Sequence, residues 1–115
     1  MADKIVDLPR ACAAWGGAAF AATLKAELEA LAHAALPLQQ GLARTSAVSD
    51  EPFTVLVGGI DAAGRRVRVV VLYSGIVGGC SCADDPTPVP TVPERCELEF
   101  VFEPAAGHAR CRLID

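Results

Sequence analysis

Residues 95–114 read RCELEFVFEPAAGHARCRLI, and apolar and charged residues alternate on both sides of the turn PAAG. Strict alternation of this kind is typical of β-strands that bury one face. One register across the turn sets apolar residues opposite apolar residues and acids opposite bases. Its pairs are Glu103 with His108, Phe100 with Cys111, Leu98 with Leu113, and Glu99 with Arg112. The sequence therefore predicts an antiparallel hairpin in this register.

Two further strands are predicted before this hairpin, FTVLVGGI at residues 53–60 and RVRVVVLYSGIV at residues 66–77, with a tight turn between them. In the second strand one face is formed by Val67, Val69, Val71 and Tyr73. The opposite face begins with arginines but continues with Val70 and Leu72. A strand that is apolar on both faces is typical of a central strand or a covered surface. This pattern leads us to predict a homodimer that forms through the sheet.

The N-terminal third of the chain is predicted to be helical. Asp7 followed by Pro9 is typical of a helix start, with a capping side chain and a proline in the first turn. The longer helix is predicted over residues 18–35, where one apolar stripe has helical spacing. The stripe consists of Phe20, Leu24, Leu28, Leu31 and Ala35. Residues 36–52 are predicted to be a connector.

These elements predict one α+β domain over residues 1–115. An N-terminal helix would pack on a four-stranded antiparallel sheet, in the order α-β-β-β-β.

Composition restricts the classes of function. The 115 residues carry a net charge of −4, and the basic residues form no run. Nucleic-acid affinity depends on clustered Lys and Arg, so we expect no nucleic-acid partner. The first residues lack the apolar stretch of a signal peptide, and charged residues interrupt the alanine-rich stretch, so we expect no membrane partner. Five cysteines, an odd number, indicate free thiols, metal ligands or core residues in a cytoplasmic protein and argue against a disulfide framework.

The connector over residues 78–93, GGCSCADDPTPVPTVP, is the candidate functional segment. Connectors of this length without regular structure are usually functional or disordered. The prolines and the Asp-Asp-Pro turn signal favour an ordered loop. We predict that this loop is a structural or binding feature, and the candidate residues are Cys80, Cys82, Asp84 and Asp85.

Three blocks of the sequence, GCSCADDPTP (79–88), LPLQQGL (36–42) and ERCELEF (94–100), resemble a family of small uncharacterised bacterial proteins with a GCSCADDPTP-type motif. The resemblance spans most of the chain from about Trp15 onward. In that family an EYC-type segment often follows the motif. This chain has Arg95 where the aromatic residue of that segment is expected. The resemblance implies no activity.

The cysteines leave three chemical roles open. Cys80, Cys82 and Cys96 could supply three of the four ligands of a zinc ion, although C-x-C is tighter than the usual spacing of zinc ligands. A disulfide within C-x-C would close a small strained ring suited to redox chemistry, but neighbouring aspartates raise thiol pKa values. In the third role the thiols pack and the aspartates hold a turn.

No nucleophile, base and oxyanion site come together in the sequence. Ser74 and Ser81 lack the G-x-S-x-G context, and His108 is already assigned to a cross-strand pair. We therefore predict a non-enzymatic domain whose loop is structural or mediates interactions. A thiol-based zinc or redox protein is the alternative.

Overall fold

The computed structural model describes residues 4–77 and 91–114, which form a mixed helix and sheet fold. The strands are β1 (Lys4–Asp7), β2 (Ala47–Val48), β3 (Thr54–Asp61), β4 (Arg66–Ile76), β5 (Val92–Glu103) and β6 (His108–Leu113). The helices are α1 (Pro9–Ala13) and α2 (Phe20–Glu29), and two 3₁₀ turns lie at His33–Ala35 and Gln39–Gly41.

All strand pairs are antiparallel, in the order β1-β6-β5-β4. The remaining edge of β4 pairs with β3 over its first part and with β2 at its end. Strand β4 is therefore central in the sheet, with hydrogen-bonded neighbours along both edges. Its outer face is not covered throughout, since Leu72 is 41% exposed.

The core lies between one face of the sheet and the helices. Val67, Val69 and Val71 of β4 are fully buried, as are Leu98 and Phe100 of β5. Helix α2 contributes the first three residues of its predicted stripe, Phe20, Leu24 and Leu28, which are all buried. Trp15 stacks on Phe102 with ring centroids 5.2 Å apart. Aromatic and aliphatic burial on this single face therefore holds the helices to the sheet.

Helix α2 also protects the edge of the sheet at β3. Glu29 accepts a hydrogen bond of 2.8 Å from the backbone N–H of Val55, and Lys25 donates one of 2.9 Å to the carbonyl oxygen of Val55. Unpaired backbone N–H and C=O groups at a sheet edge can pair with another chain and lead to aggregation. Here the side chains of Glu29 and Lys25 form hydrogen bonds with both groups of Val55.

The predicted β5–β6 register is confirmed at all four pairs. The inward residues Phe100 and Cys111 are buried, and His108 lies 3.6 Å from the carboxylate of Glu103. Glu99 is one of the charged residues that alternate with the buried ones, yet it is only 7% exposed, and its carboxylate lies 2.9 Å from Arg112.

The predicted number and order of strands are wrong. The described sheet has six strands instead of four, and β1 precedes the helices, so the order α-β-β-β-β is incorrect. Strand β1 has four residues and β2 has two, too few for a period of two to be recognised in the sequence. Both short strands are held by partners far away in the chain, β6 and β4.

Three predicted boundaries also change. Asp7 ends β1 opposite His108, and helix α1 begins after Leu8 without a side-chain cap, although Pro9 does occupy the first turn. Helix α2 ends at Glu29, because the backbone becomes extended at Ala32 and this allows Leu36 and Leu38 to reach the core.

The third change concerns the predicted loop over residues 78–93. Val92 and Pro93 belong to β5, opposite Gly75 and Ser74. Proline is tolerated in β5 because β6 pairs only from Leu98 onward, so the other side of Pro93 needs no ladder hydrogen bond.

Candidate functional site

The candidate residues Cys80, Cys82, Asp84 and Asp85 lie outside the described residues, so their role stays a prediction. Strands β4 and β5 pair as far as Gly75 and Val92, and the segment 78–90 connects them. We use the name "platform" for residues 36–52 together with the strand ends 72–76 and 91–96. The segment follows Val77 and precedes Thr91, so it leaves and re-enters the described structure next to these strand ends.

Glu94 joins two parts of the platform. Its carboxylate accepts hydrogen bonds from three consecutive backbone N–H groups, those of Ala43 (3.0 Å), Arg44 (2.8 Å) and Thr45 (2.8 Å). The hydroxyl of Thr45 donates a fourth bond of 2.7 Å. Only 5% of Glu94 is exposed. A buried carboxylate with four donors is fully satisfied, so Glu94 fixes the backbone of residues 43–45 against β5.

Two opposing effects set the pKa of Glu94. Burial is the largest single effect and raises it, but the hydrogen bond from the Thr45 side chain and those from three backbone N–H groups together outweigh burial. The pKa of Glu94 therefore lies below its ordinary value of 4.5. The carboxylate stays charged in the folded protein at neutral pH.

This lowered pKa predicts a pH-dependent contribution to stability. As the pH falls below about 4.5, the unfolded state takes up the proton at this position first, so the stabilisation by Glu94 is complete above that pH. It is lost as the pH falls further, through the lower pKa of the folded state. We expect the difference in unfolding free energy between wild type and Glu94→Gln, measured by urea denaturation, to shrink from pH 6 to pH 3. A difference that stays constant over this range would contradict the assignment.

Tyr73 and Gly41 attach the LPLQQGL segment to the sheet. The hydroxyl of Tyr73 donates a buried hydrogen bond of 2.8 Å to the carbonyl oxygen of Leu38. Burial raises the pKa of Tyr73, so the hydroxyl keeps its proton and stays a donor. A Cβ on Gly41 would lie 2.8 Å from the Cβ of Cys96 and 3.0 Å from the Tyr73 hydroxyl. Only glycine therefore allows this close approach of the connector to β5.

Gln39 holds the short strand β2. Its side-chain amide donates to the carbonyl oxygen of Ser46 at 2.8 Å and accepts from the N–H of Val48 at 3.3 Å. Ser46 and Ser49 continue the attachment, because their backbone N–H groups bond to β4 at Ile76 and Ser74. The connector is thereby joined to the end of β4.

A second polar cluster lies beside the first. The hydroxyls of Ser49 and Ser74 are 2.6 Å apart, and Ser74 donates to the carboxylate of Glu51 at 2.8 Å. Hydrogen bonds from Thr91 and then Ser74 lower the pKa of Glu51. Thr91 directly follows the segment 78–90, so this cluster ties one end of that segment to the connector. His33 bonds to the carbonyl oxygen of Glu51 at 2.6 Å.

Cys96 has the surroundings of a core thiol. It is fully buried, and burial raises its pKa to about 11 although the Tyr73 hydroxyl and Arg95 act in the opposite direction. It lies four residues inside β5, about 13 Å along the strand from Val92. In residues 4–77 and 91–114, no group of three or more His, Cys, Asp or Glu residues could hold a metal ion.

The raised pKa predicts that Cys96 is unreactive in the folded protein. At pH 8 we expect alkylation of Cys96 by iodoacetamide to be about 100-fold slower than that of an ordinary thiol, because so little thiolate is present. Mass spectrometry of peptides from folded and urea-unfolded protein measures this protection. Rapid labelling of Cys96 in the folded protein would contradict the buried position.

Comparison with known proteins assigns no family or function to the chain. No protein-family model matches the chain, and neither a curated protein nor a solved structure matches it. The resemblance to the GCSCADDPTP-type family stays a prediction. Among the described residues, no helix combines the length and apolar character that crossing a membrane requires.

The sequence interpretation did not identify Glu94, Glu51, Ser49 or Thr45 as site residues. The available signal was the combination of an acidic residue and a proline next to a predicted strand, at Glu94 and at Glu51-Pro52. Of the three blocks that carried the resemblance, LPLQQGL and ERCELEF lie against each other at Gly41 and Cys96, and GCSCADDPTP lies outside the described residues.

Proposed function

We propose that the protein is a small non-enzymatic binding domain in which the segment 78–90 contacts a protein partner. The platform would hold the two ends of this segment in place. The observation that supports this proposal is the joining of three distant parts of the chain by buried polar anchors, above all Glu94. We assign the binding role to Cys80, Cys82, Asp84 and Asp85 on this basis.

The way the platform uses its polar groups supports binding over catalysis. Both oxygens of Glu94 accept hydrogen bonds from the protein itself, and the Tyr73 hydroxyl donates its hydrogen bond to the carbonyl oxygen of Leu38. General acid–base catalysis needs a titratable group that faces substrate with a pKa near the working pH. The pKa of Glu94 is lowered and that of Tyr73 is raised, both away from neutrality.

The experiment compares partners of two variants by affinity enrichment with quantitative mass spectrometry. A double variant, Asp84→Asn with Asp85→Asn, keeps side-chain size but removes the charge of the predicted binding residues. Asp7→Asn removes a charge from β1, outside the platform, and is the matched control. We expect one protein to be enriched by wild type and by the control but lost with the double variant, and to bind purified wild type in calorimetry. Equal enrichment by all three proteins would contradict the proposal.

The proposal includes self-association through the outer face of the sheet, the face opposite the helices. Leu56 and Leu72 are 48% and 41% exposed there, and Val70 lies directly opposite Leu56. Sedimentation velocity over a concentration series tests this part. We expect Leu72→Asp, within the apolar patch of β3 and β4, to lower the dimer fraction. Ile5→Asp should leave it unchanged, because Ile5 lies on the same face but on β1, three strands away from β4. A monomer at all concentrations would contradict self-association.

The alternative to this proposal is that the thiols bind zinc or carry out redox chemistry. Elemental analysis of protein purified without a metal-affinity column, together with a thiol count, makes the distinction. We expect no stoichiometric metal and five titratable thiols after unfolding. One zinc per chain that is lost in Cys82→Ser would overturn the binding proposal in favour of a metal site.

A further inference from the structure

Four of the arginines occupy neighbouring positions on the outer face of the sheet. Two rows run across the three central strands. In one row Val101 of β5 lies between Arg66 and Arg110, and in the other Glu99 lies between Arg68 and Arg112. From strand spacing and rise, the four Cα atoms form a rectangle of about 10 Å by 7 Å. We call these four residues the arginine cluster.

The charges of the cluster are only partly neutralised. Arg112 pairs with Glu99 at 2.9 Å, and Arg110 pairs with Glu103 at 3.4 Å. The side chains of Arg66 and Arg68 make no ion pair or hydrogen bond with any described residue, although both backbones belong to the sheet. Close like charges repel each other, so the unpaired guanidinium groups favour a bound anion.

The unpaired arginines face an open cavity of about 350 Å³. Gly59, at the bulge where the register of β3 shifts, forms part of its wall, and a Cβ there would meet no atom within 4 Å. Two acids also line the cavity, but each has a protein partner: Asp61 accepts from the N–H of Gly64 at 3.2 Å, and Glu99 is held by Arg112. The remaining lining residues are Ile60, Arg66 and Arg68.

We propose that Arg66 and Arg68, the two members of the arginine cluster that line this cavity, bind a small phosphate-bearing anion there. Guanidinium groups present paired N–H donors that match phosphate oxygens, and two arginines on one strand can share a single anion. The cluster covers an area suited to one or two phosphate groups. A nucleic-acid duplex would need a longer basic surface, and the net charge of −4 opposes it. This proposal is independent of the function proposed for the segment 78–90.

The experiment is isothermal titration of the full chain with sodium pyrophosphate, and separately with inorganic phosphate, in phosphate-free buffer of low ionic strength. We expect one saturable site. Arg66→Ala and Arg68→Ala should each weaken binding about tenfold, the effect of losing a hydrogen bond to a charged group. Glu99→Gln should strengthen binding, because it removes the acid between Arg68 and Arg112.

Arg44→Ala is the matched control, since it removes an exposed arginine outside the cluster. Its affinity should stay within about twofold of wild type, a margin well below one charged hydrogen bond. Circular dichroism of each variant verifies that it is folded. The absence of saturable binding to wild type, or an equal loss in Arg44→Ala and the cluster variants, would overturn the proposal.

Discussion

Glu94→Ala is expected to lower the free energy of unfolding by about 3 kcal/mol, because the change leaves four partly buried donors without an acceptor. In this variant three backbone N–H groups and the hydroxyl of Thr45 would lose the carboxylate that accepts their hydrogen bonds. Chemical denaturation at pH 7 measures the change.

Glu97→Gln is the matched control for Glu94→Ala. Glu97 lies three residues further along β5, and its ion pair of 2.7 Å is with the exposed Arg95. Surface ion pairs contribute at most about 1 kcal/mol, so the control should change the unfolding free energy by less than that. If both variants lost equal stability, the carboxylate of Glu94 would have no special structural role.

Gly75→Ala is expected to destabilise the fold by about 3 kcal/mol, the upper range for added atoms in a packed interior. A Cβ at this position would overlap the side chain of Thr45, whose own Cβ would be 2.8 Å away, and would lie 2.9 Å from the backbone carbonyl oxygen of Ala47. Gly75 pairs with Val48 of β2 and with Val92 of β5, so neither side can move independently. Thermal unfolding followed by circular dichroism measures the loss.

Gly59→Ala provides the comparison within the same sheet. No atom lies within 4 Å of a Cβ at Gly59. Replacing a strand glycine by alanine in open space should be neutral or stabilise by up to about 1 kcal/mol through the unfolded state. Equal stability of the two glycine variants would show that the connector is not packed on Gly75.

The hairpin of β5 and β6 could be predicted because the residues that determine its register are close together in the sequence. Each strand alternates cleanly, and the turn between them is short, so one register satisfies both the apolar and the charged pairs. The same reasoning identified β3, β4 and the apolar stripe of α2. These elements carry the buried face of the sheet.

The candidate site could not be predicted because its contacts are between residues far apart in sequence. Glu94 binds residues about fifty positions earlier, and nothing near it in the chain indicates those donors. The connector over 36–52 shows no period, since backbone groups and side chains from β4 and β5 hold it. Strand β1 escaped prediction for a similar reason, because its pairing with β6 joins opposite ends of the chain.

The central claim is that Glu94 makes the platform one structural unit, and hydrogen–deuterium exchange of wild type and Glu94→Gln tests it most directly. We predict faster exchange in Glu94→Gln over residues 38–48, 73–76 and 92–96 together, with exchange in α1 and β6 unchanged. Faster exchange confined to Ala43, Arg44 and Thr45 would contradict the claim, because Glu94 would then be only a local contact.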